Sequence, residues 1–450
     1  MKNLSFVLIF CYTLLFGQNK PNVIFILSDD LGYGDLGCYG NKYIKTPNID
    51  SLAAMGCKYS RAYAPAPVCS PSRASILSGL NPARLQLTNY LEGRKGDTNS
   101  TLIPANFVNE IPSTITSIAA IFKSKGYTTG MVGKWHLGKT DESQPCKYGF
   151  DWEAQADNAI FYYDFKLKSC NKVTYESKTN EHLTDVIADQ ANSFIQNNKN
   201  QPFFLYLAHF APHLVLQNEP RRVTPYYFTY NKFSDGKYDP QYAATVSHLD
   251  EAIGKLIKQL RELKLLENTI IVFTSDNGGV SVRELGVKPT DNSPLKNGKG
   301  HLNEGGIRVP FIIYDPTSTL SRRGEEKYPI TTSDVYPTFA ELITKSDFKS
   351  SSDYLSLKKR QLQKNFMNIW HYPHFSNQGG RPASAIVKDN MKLIYFYEDK
   401  HVELYDIVND ISESNNLAKN QSEMAEKMKT ELFAQLKAMN AEMPTYKNSK

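Results

Sequence analysis

The sequence predicts an α/β fold in which helices sandwich a mostly parallel central sheet. Residues 21–27 (PNVIFIL) and 269–273 (TIIVF) are continuous apolar runs rich in β-branched residues, which are typical of strands buried on both faces of a sheet. Segments with helical periodicity alternate with the other predicted strands, and this alternation favours parallel pairing. Ligands of such sheets bind beyond the carboxyl ends of the strands, so we expect the functional site at that edge.

Signals for the remaining elements of this main domain follow in chain order. Thr46 and Pro47 are typical of a helix start, with proline at the first helical position. Helices are predicted at 47–55, 70–77, 113–125, 182–196 and 241–265, and further strands at 127–132 and 203–208. We assign residues 18–345 to this domain.

A second, smaller unit is predicted in the C-terminal part of the chain. The stretch 349–364 is polar and typical of an exposed connection. Short antiparallel strands separated by turns are predicted at 385–388, 392–397 and 402–405, followed by an amphipathic helix at 423–439. We therefore predict a small α+β subdomain of antiparallel strands and one helix over residues 365–450.

The composition excludes several classes of protein. The chain has 450 residues, a net charge of +6, 41% hydrophobic and 22% charged residues, which supports a sizeable core and excludes a mainly disordered chain. No dense block of Lys and Arg with interleaved aromatic residues occurs, so no nucleic-acid partner is expected. Six cysteines are too few for a disulfide scaffold of this length.

The first residues predict export. Lys2, the apolar run 6–16 and the small residue Gly17 are arranged as in a cleaved secretory signal, and we assign residues 1–17 to a signal peptide. The run is short for a membrane span, with a membrane anchor as the alternative. No later segment is long and apolar enough to cross a bilayer. We expect a periplasmic or secreted protein with no stable membrane association.

Export changes the interpretation of the cysteines. Cys11 leaves with the signal, and an odd number remaining in an oxidising compartment indicates one cysteine with another role. Cys146 with Cys170, and Cys38 with Cys57, are possible disulfide pairs. The alternative is that all the remaining cysteines are reduced core residues.

Polar residues follow both buried strands at their carboxyl ends. Asp29 and Asp30 come after the first strand, and Asp276 and Asn277 come after the strand at 269–273. These side chains offer only oxygen ligands, which suit a hard divalent cation, Ca²⁺ or Mg²⁺. Turn formation and helix capping are the commonest uses of Asp and Asn. Their occurrence at two strand ends nevertheless favours a metal site.

The sequence Cys69-Ser70-Pro71-Ser72-Arg73 begins a predicted helix. A cysteine at a helix start lies where backbone N–H groups attract an anion. The Cys-x-Pro-x-Arg motif resembles that of the type I sulfatases of the alkaline phosphatase superfamily, and the resemblance extends from about Asn22 to Leu417. It implies an alkaline-phosphatase-like sheet and a Cys69 that a separate maturation enzyme converts to formylglycine. It also implies Ca²⁺, with Mg²⁺ less favoured.

The resemblance assigns roles to residues outside this motif. Lys134 and His136, within GKWHLGK, match the family's Lys-x-His pair, and Lys134 is implied to hold the sulfate together with Arg73. His136 is implied to deprotonate the remaining hydroxyl of the formylglycine hydrate. His213, within APH, matches the histidine that protonates the leaving alcohol, and Lys299, within GKG, matches the second sulfate-binding lysine.

The implied metal ligands are Asp29, Asp30, Asp276, Asn277 and the oxygen of the modified Cys69. Two neighbours leave alternatives open. We interpret His209 as a structural residue at a strand end, although it lies close to His213 in the sequence. Lys296 is an alternative to Lys299.

The substrate is predicted from weaker signals. His371 and His374, in the stretch WHYPH, are candidates for sugar recognition, with Arg283 and Asn158 as further candidates at the pocket rim. We expect a sulfatase acting on a sulfated carbohydrate, from a polysaccharide or its oligosaccharides. The alternatives are a phosphate or phosphonate monoester hydrolase of the same superfamily and a catalytically silent carbohydrate-binding relative.

Overall fold

The central strand of the protein is buried on both faces, as its composition predicts. A computed structural model of the chain describes residues 20–91, 93, 100–156, 161–233, 237–344, 352–363 and 365–447. In residues 22–28, Val23 and Phe25 belong to one hydrophobic core, while Ile24 and Ile26 belong to another on the opposite face. Because side chains alternate along a strand, this arrangement places helices on both sides. The predicted signal peptide lies outside the described residues.

The strands of the described residues are labelled in chain order. They are β1 (Asn22–Ser28), β2 (Cys57–Tyr63), β3 (Leu102–Ile103), β4 (Thr128–Gly133), β5 (Trp152–Ala156), β6 (Lys166–Ser169), β7 (Lys172–Glu176), β8 (Phe203–Ala208), β9 (Thr269–Ser275), β10 (Arg308–Tyr314), β11 (Gly324–Glu326), β12 (Ile330–Thr331), β13 (Met367–Tyr372), β14 (Ala383–Lys388), β15 (Met391–Phe396), β16 (Val402–Asp406) and β17 (Thr445–Tyr446).

The α-helices are labelled in the same way. They are α1 (Pro47–Met55), α2 (Cys69–Ser78), α3 (Pro82–Leu85), α4 (Ile118–Ser124), α5 (Leu183–Asn197), α6 (Pro220–Phe233), α7 (Pro240–Glu262), α8 (Glu304–Ile307), α9 (Val335–Thr344), α10 (Leu357–Leu362) and α11 (Ser422–Ala438).

The main sheet has the order β11-β2-β10-β9-β1-β8-β4-β5-β6-β7, and β12 pairs with β2. The five central strands, from β9 to β5, pair in parallel. Antiparallel pairs occur towards the edges, where β10 joins β9 and β2, and where β6 joins β5 and β7. The predicted mostly parallel sheet is therefore confirmed.

The C-terminal part folds as a separate sheet of antiparallel strands in the order β13-β14-β15-β16. Helix α11 covers one face, where Met428 and Leu432 pack with Ile386, Leu393 and Leu404. The predicted α+β arrangement is confirmed, with two corrections. Residues 367–372 form a strand, and the predicted connection at 349–364 contains helix α10, of which Leu357 and Arg360 are buried.

A buried ion cluster joins the two sheets. Lys392 Nζ of β15 lies 3.0 Å from Glu304 Oε1 and 2.9 Å from Glu413 Oε1, and these three side chains are essentially inaccessible to solvent. Because both carboxylates surround one ammonium group, removing a single partner would leave an uncompensated buried charge. The cluster therefore fixes the C-terminal sheet against the segment that follows Lys299.

The cysteines of the described residues are either disulfide-bonded or free thiols. Cys146 and Cys170 form a disulfide, as one of the possible pairings predicts. Cys38 and Cys57 are free thiols, so that predicted pairing is wrong. None of the helices in the described part of the chain combines the length and apolar character needed to cross a membrane.

Candidate active site

The polar residues after β1 and β9 meet at the carboxyl edge of the sheet. Ser28 and Ser275 are direct neighbours in the parallel pairing of these strands, so the residues that follow them are neighbours too. Asp29, Asp276 and Asn277 are fully buried, and Asp30 is 2% exposed. The Nδ2 group of Asn277 donates to Asp30 Oδ1 at 2.8 Å. The register of two strands thus brings four oxygen-bearing side chains together.

Helix α2 places Cys69 and Arg73 at this edge. All ten of its residues are buried, and Cys69, the first, is 2% exposed. Arg73 lies one turn later on the same face of the helix. Its Nε and Nη2 groups donate to Asp276 Oδ2 at 2.9 and 2.7 Å, and its Nη1 group donates to the carbonyl oxygen of Lys134 at 2.9 Å. The guanidinium therefore holds a carboxylate and a loop in place.

The loop after β4 supplies Lys134 and His136. Lys134 Nζ donates a hydrogen bond to Asp29 Oδ2. The Nδ1 atom of His136 lies 3.2 Å from Cys69 Sγ. His136 has a φ of 57°, in the left-handed region that side chains rarely adopt, and this conformation directs the imidazole towards the thiol.

Lys299 and His213 close the opposite side of the cluster. Lys299 Nζ lies 2.7 Å from Asp30 Oδ2, and His213 Nε2 lies 3.6 Å from the same oxygen. Gly300, which follows Lys299, has a φ of 82°, and a Cβ atom there would lie 1.9 Å from Ser376 Oγ. Only glycine fits at this position, which explains the GKG sequence around the lysine.

The structure brings Lys299 and not Lys296 to the cluster. Lys296 Nζ donates to the hydroxyl of Tyr405 at 2.9 Å and to the carbonyl oxygen of Glu413 at 3.3 Å, both in the C-terminal part of the chain. The ring of His209 is buried, and its backbone N–H donates to the carbonyl oxygen of Leu27. His209 thus lies at the end of β8, as the sequence suggested.

The donor set fits a divalent cation. Asp29 Oδ1 and Asn277 Oδ1 are buried without a hydrogen-bond partner among the described residues. Donor atoms of Asp29, Cys69 and Asp276 lie within 4.8 Å of one another, and so do those of Asp29, Asp30 and His213. Buried oxygens need partners, and carboxylates together with an amide oxygen are the donors that Ca²⁺ takes.

The pKa values of Asp29 and Asp276 are shifted in opposite directions. Burial raises the pKa of Asp29, but the nearby cationic groups, Lys134 foremost, outweigh it and hold this pKa well below its usual range. Burial and the negative charge of Asp29 raise the pKa of Asp276 to about 7. A cation bound between these carboxylates favours the ionised form of both.

Burial also shifts the pKa values of Cys69 and of the two histidines of the site. It raises the pKa of the Cys69 thiol and lowers that of His136 well below its usual range. Burial, together with the charge of Lys299, lowers the pKa of His213 to about 4. An unmodified Cys69 is therefore a poorly ionised thiol and a weak nucleophile in this environment.

The predicted sugar-binding histidines are not brought to the site. His371 and His374 are 3% and 1% exposed. The two ring nitrogens of His371 lie 2.6 Å from Ser384 Oγ and 2.8 Å from the carbonyl oxygen of Glu442. His374 Nε2 lies 2.8 Å from Thr88 Oγ1. The stretch forms β13 and the turn after it, with the His371 ring held inside the C-terminal part and the His374 ring packed against Thr88 of the main domain, so the structure leaves neither ring open to a sugar.

The other two rim candidates are Arg283 and Asn158. Arg283 is exposed, and its Nη1 group donates to the carbonyl oxygen of Gly286. Asn158 lies outside the described residues. Gln378, which lies near Gly300, donates from its Nε2 group to Glu284 Oε2 at 2.8 Å. No periodicity or motif marks Gln378 in the sequence.

Two further residues support the cluster and were not predicted. The hydroxyl of Tyr162 donates to the carbonyl oxygen of His213 at 3.0 Å. The hydroxyl of Tyr242 donates to Asp35 Oδ2 at 2.5 Å and also lies 3.3 Å from the carbonyl oxygen of Asp30. Both are buried tyrosines, and a buried tyrosine needs a hydrogen-bond partner. The sequence signals only that a buried tyrosine must form a hydrogen bond. It does not show which residue is the acceptor.

Comparisons with known proteins agree with this geometry. The sulfatase family model matches residues 21–345, and the model described as N-sulphoglucosamine sulphohydrolase, C-terminal, matches residues 298–442. A protein of Formosa agariphila named "Sulfatase" is 30% identical, with 94% of this chain and 90% of that protein covered. Human N-acetylgalactosamine-6-sulfatase is 34% identical over 66% of this chain, and the match spans only 57% of that protein.

A solved structure extends the comparison to the whole fold. The crystal structure of Ps i-CgsB in complex with k-i-k-neocarrahexaose has a TM-score of 0.77 and 29% identity, with 93% of each chain covered. The fold and the matched motifs define an alkaline-phosphatase-like hydrolase. The chain belongs to the sulfatase family and is a sulfuric ester hydrolase. The family implies a metal ion and a formylglycine nucleophile.

Proposed function

We propose that this enzyme removes sulfate esters from a sulfated carbohydrate, a polysaccharide or its oligosaccharides. The observation that carries the proposal is the position of Cys69 at the start of a buried helix, against oxygen donors and three cationic side chains. Such a site suits an anionic ester whose reaction develops further negative charge. The neocarrahexaose bound to the structural relative supports a carbohydrate substrate.

We propose Cys69 as the residue that becomes formylglycine and Ca²⁺ as the cation. The cation's ligands are then Asp29, Asp30, Asp276 and Asn277, with the oxygen at position 69. Ca²⁺ is favoured over Mg²⁺ because this cage offers protein oxygens from several side chains, whereas Mg²⁺ usually keeps several waters. When bound, the cation supplies positive charge that polarises the sulfate oxygens.

The maturation enzyme is a partner in this proposal. Cys69 is 2% exposed and every other residue of α2 is also buried. A second enzyme therefore has to reach the thiol before helix α2 packs against the sheet.

The side chains around Cys69 divide the remaining work. Lys134 and Lys299 present ammonium groups to the sulfate, and each also holds one metal-binding aspartate. His213 donates a proton to the oxygen of the departing alcohol, for which the negative charge of the bound sulfate ester has to raise its pKa above about 4. His136 accepts a proton at the atom that replaces Cys69 Sγ, 3.2 Å from its Nδ1 atom. A proton donor or acceptor held in this way contributes about 10²–10⁴-fold to a rate.

Arg73 takes a supporting role in addition to the one the resemblance implies. The Nε, Nη1 and Nη2 groups of its guanidinium already donate hydrogen bonds to Asp276 and to the backbone of Lys134. It therefore acts on the sulfate mainly by orienting a metal ligand and a sulfate-binding lysine.

Export completes the proposal. Residues 1–17 act as a signal peptide, and the mature enzyme works in the periplasm or outside the cell on polymeric material. Secretion of the full chain, followed by N-terminal sequencing of the product, tests this step. A secreted product that begins after Gly17 supports the proposal, whereas a product that retains residues 1–17 contradicts it.

The central experiment measures sulfate release by matured enzyme. Defined oligosaccharides of carrageenan, chondroitin sulfate, heparan sulfate and fucoidan serve as substrates, and ion chromatography detects free sulfate. We expect release from at least one of them, and turnover of 4-nitrophenyl sulfate well above that of 4-nitrophenyl phosphate. A preference for the phosphate ester, or binding of an oligosaccharide without release of sulfate, contradicts the proposal.

A further inference from the structure

A basic cavity lies at the surface of the main domain, outside the residues described so far. It has a volume of about 870 Å³. Residues 42–45 form one wall, and helices α6 and α7 form the others. Four cationic side chains line it: Lys42, Lys45, Arg221 and Arg222. Among the described residues that line it, Glu251 is the one carboxylate.

Two of these cations are available to a ligand. Both Lys42 and Lys45 are exposed, and in the described part of the chain no carboxylate lies within 4.0 Å of either ammonium group. Arg221 pairs with Glu219, and Arg222 lies 2.5 Å from Glu251. The cavity therefore carries a net positive charge at its lysine side.

The walls of the cavity are tied together. The hydroxyl of Tyr43 donates to the carbonyl oxygen of Tyr226 at 2.6 Å, and Ser247 Oγ donates to the carbonyl oxygen of Lys45 at 2.8 Å. These bonds join the lysine-bearing segment to α6 and to α7. A cavity built in this way keeps its shape without a ligand, which lowers the entropic cost of binding one.

An exposed aromatic side chain, Phe228, lies on α6 beyond the residues that line the cavity. Arg221, Pro225 and Phe228 follow one another at spacings of four and three residues, so they share one face of the helix. Phe228 is 79% exposed. Apolar ring faces beside ammonium and guanidinium groups match a sugar chain, which presents C–H faces and anionic substituents together.

The chain connects this cavity to the catalytic edge. Lys42 and Lys45 lie on the segment that leaves the sheet at Asp30, and Arg221 begins α6 shortly after His213. The hydroxyl of Tyr242 of α7 lies 3.3 Å from the carbonyl oxygen of Asp30, while Ser247, further along the same helix, lines the cavity. Helix α7 thus runs from the backbone of Asp30 to a wall of the cavity.

We infer that this cavity binds a second anionic part of the same sulfated carbohydrate, several sugar units from the ester that is cleaved. The inference rests on the proposed function and extends it to substrates longer than a monosaccharide. It predicts that polymer affinity depends on salt more strongly than turnover of a small aryl sulfate does, because exposed charges are screened.

The test compares two charge-matched triple variants of the full-length enzyme. Lys42→Gln/Lys45→Gln/Arg221→Gln removes cavity charges, and Lys178→Gln/Lys258→Gln/Lys427→Gln removes exposed charges elsewhere. Binding of dextran sulfate, uncharged dextran and single-stranded DNA is measured by calorimetry. Circular dichroism and thermal unfolding check that both variants fold.

We expect the cavity variant to bind dextran sulfate about 5–20-fold more weakly than the control variant, on the basis of three exposed charges. The ratio of kcat/KM for a cleaved polysaccharide to kcat/KM for 4-nitrophenyl sulfate should fall by a similar factor. Phe228→Ser should weaken binding of dextran sulfate further. Equal affinities of the two triple variants would overturn the inference.

Other outcomes separate the inference from the proposed function. An equal loss of affinity for DNA and for dextran sulfate would mean that the cavity is a general anion patch, and it would also overturn the inference. If the wild-type enzyme cleaves 4-nitrophenyl sulfate but no sulfated carbohydrate, the proposed function fails. The comparison of dextran sulfate affinities still decides whether the cavity binds a sulfated chain.

Discussion

The Nδ1 atom of His136 lies 3.2 Å from the Sγ atom of Cys69, although the two residues are 67 positions apart in the chain. The relationship depends on helix α2 and on the loop after β4, which meet at the carboxyl edge of the sheet. It also depends on the left-handed backbone of His136. Cys69 is 2% exposed and His136 is partly buried, so the imidazole meets position 69 inside the site and not at the protein surface.

Replacement of His136 tests this relationship. We expect His136→Ala to lower kcat by about 10²–10⁴-fold with a much smaller change in KM, because the imidazole moves a proton and does not bind the sulfate. Steady-state kinetics on 4-nitrophenyl sulfate provide the measurement. Mass spectrometry of the Cys69 peptide must show the same extent of modification as in the wild type. An unchanged kcat in fully modified enzyme would remove His136 from the proposed chemistry.

His213 is tested by the acidity of the leaving group. If it protonates the departing oxygen, His213→Gln should slow cleavage of an alkyl sulfate far more than cleavage of 4-nitrophenyl sulfate, whose phenolate leaves without help. We expect about 10²–10⁴-fold for the alkyl ester and a small effect for the aryl ester. His209→Gln, at the neighbouring strand end, is the comparison variant. Equal losses on both esters would indicate that His213 only shapes the site.

Lys299 and Lys296 form a matched pair three residues apart. Lys299 contacts Asp30 at the cluster, whereas Lys296 contacts Tyr405. We expect Lys299→Gln to lower kcat/KM for aryl sulfate by at least about 10²-fold, since it removes a buried charge that faces the sulfate. Lys296→Gln should leave kcat/KM within about threefold and should lower the melting temperature instead. If Lys296→Gln lowers kcat/KM and Lys299→Gln does not, Lys296 is the sulfate-binding residue.

The sequence could predict the parts of this molecule that depend on local patterns. The apolar runs of β1 and β9 identify buried strands, and the polar residues after them locate the functional edge. The Cys-x-Pro-x-Arg motif identifies helix α2. These features work because strand burial, helix starts and metal-binding carboxylates each leave a short pattern in the chain.

Features that depend on distant contacts could not be predicted in this way. The three hydrogen bonds of Arg73 to Asp276 and to the backbone of Lys134 depend on how α2 crosses the sheet edge. Histidine composition suggested sugar binding for His371, but pairing of β13 with β14 turns its ring towards Ser384. Tertiary packing decides where a polar side chain points, and no single-sequence pattern reports it.

Removal of the metal should affect stability as well as activity. We expect EGTA to abolish activity and to lower the melting temperature, because Asp29, Asp30 and Asp276 then repel each other in a buried site. Added Ca²⁺ should restore both, with about 2.7 kcal/mol of stabilisation at a hundredfold excess over Kd. Asp276→Asn should weaken metal binding and lose activity.

The melting temperature with and without Ca²⁺ measures metal binding independently of turnover. Asp315→Asn, which changes a carboxylate outside the cluster, is the control. An Asp276→Asn variant that keeps both its turnover and its metal content would contradict the proposed metal site.

The pH dependence of stability should report the buried histidines of the C-terminal part. Burial lowers the pKa of His371 to about 4 and that of His374 to about 3, whereas a histidine in the unfolded chain titrates near ~6.5. As the pH falls below about 6.5, the unfolded chain binds protons that the folded chain does not. The free energy of unfolding should therefore decrease progressively from about pH 6.5 to about pH 4, and this contribution should be constant above that window.

Urea unfolding between pH 4 and pH 8 measures the effect. His374→Gln keeps a polar partner for Thr88 but does not titrate, so its free energy of unfolding should depend less steeply on pH than that of the wild type. His401→Gln, at a half-exposed position on the same part of the chain, is the matched control for the loss of a histidine at the surface. Parallel pH profiles for the wild type and His374→Gln would show that His374 takes up its proton without unfolding, contrary to a ring held neutral by burial.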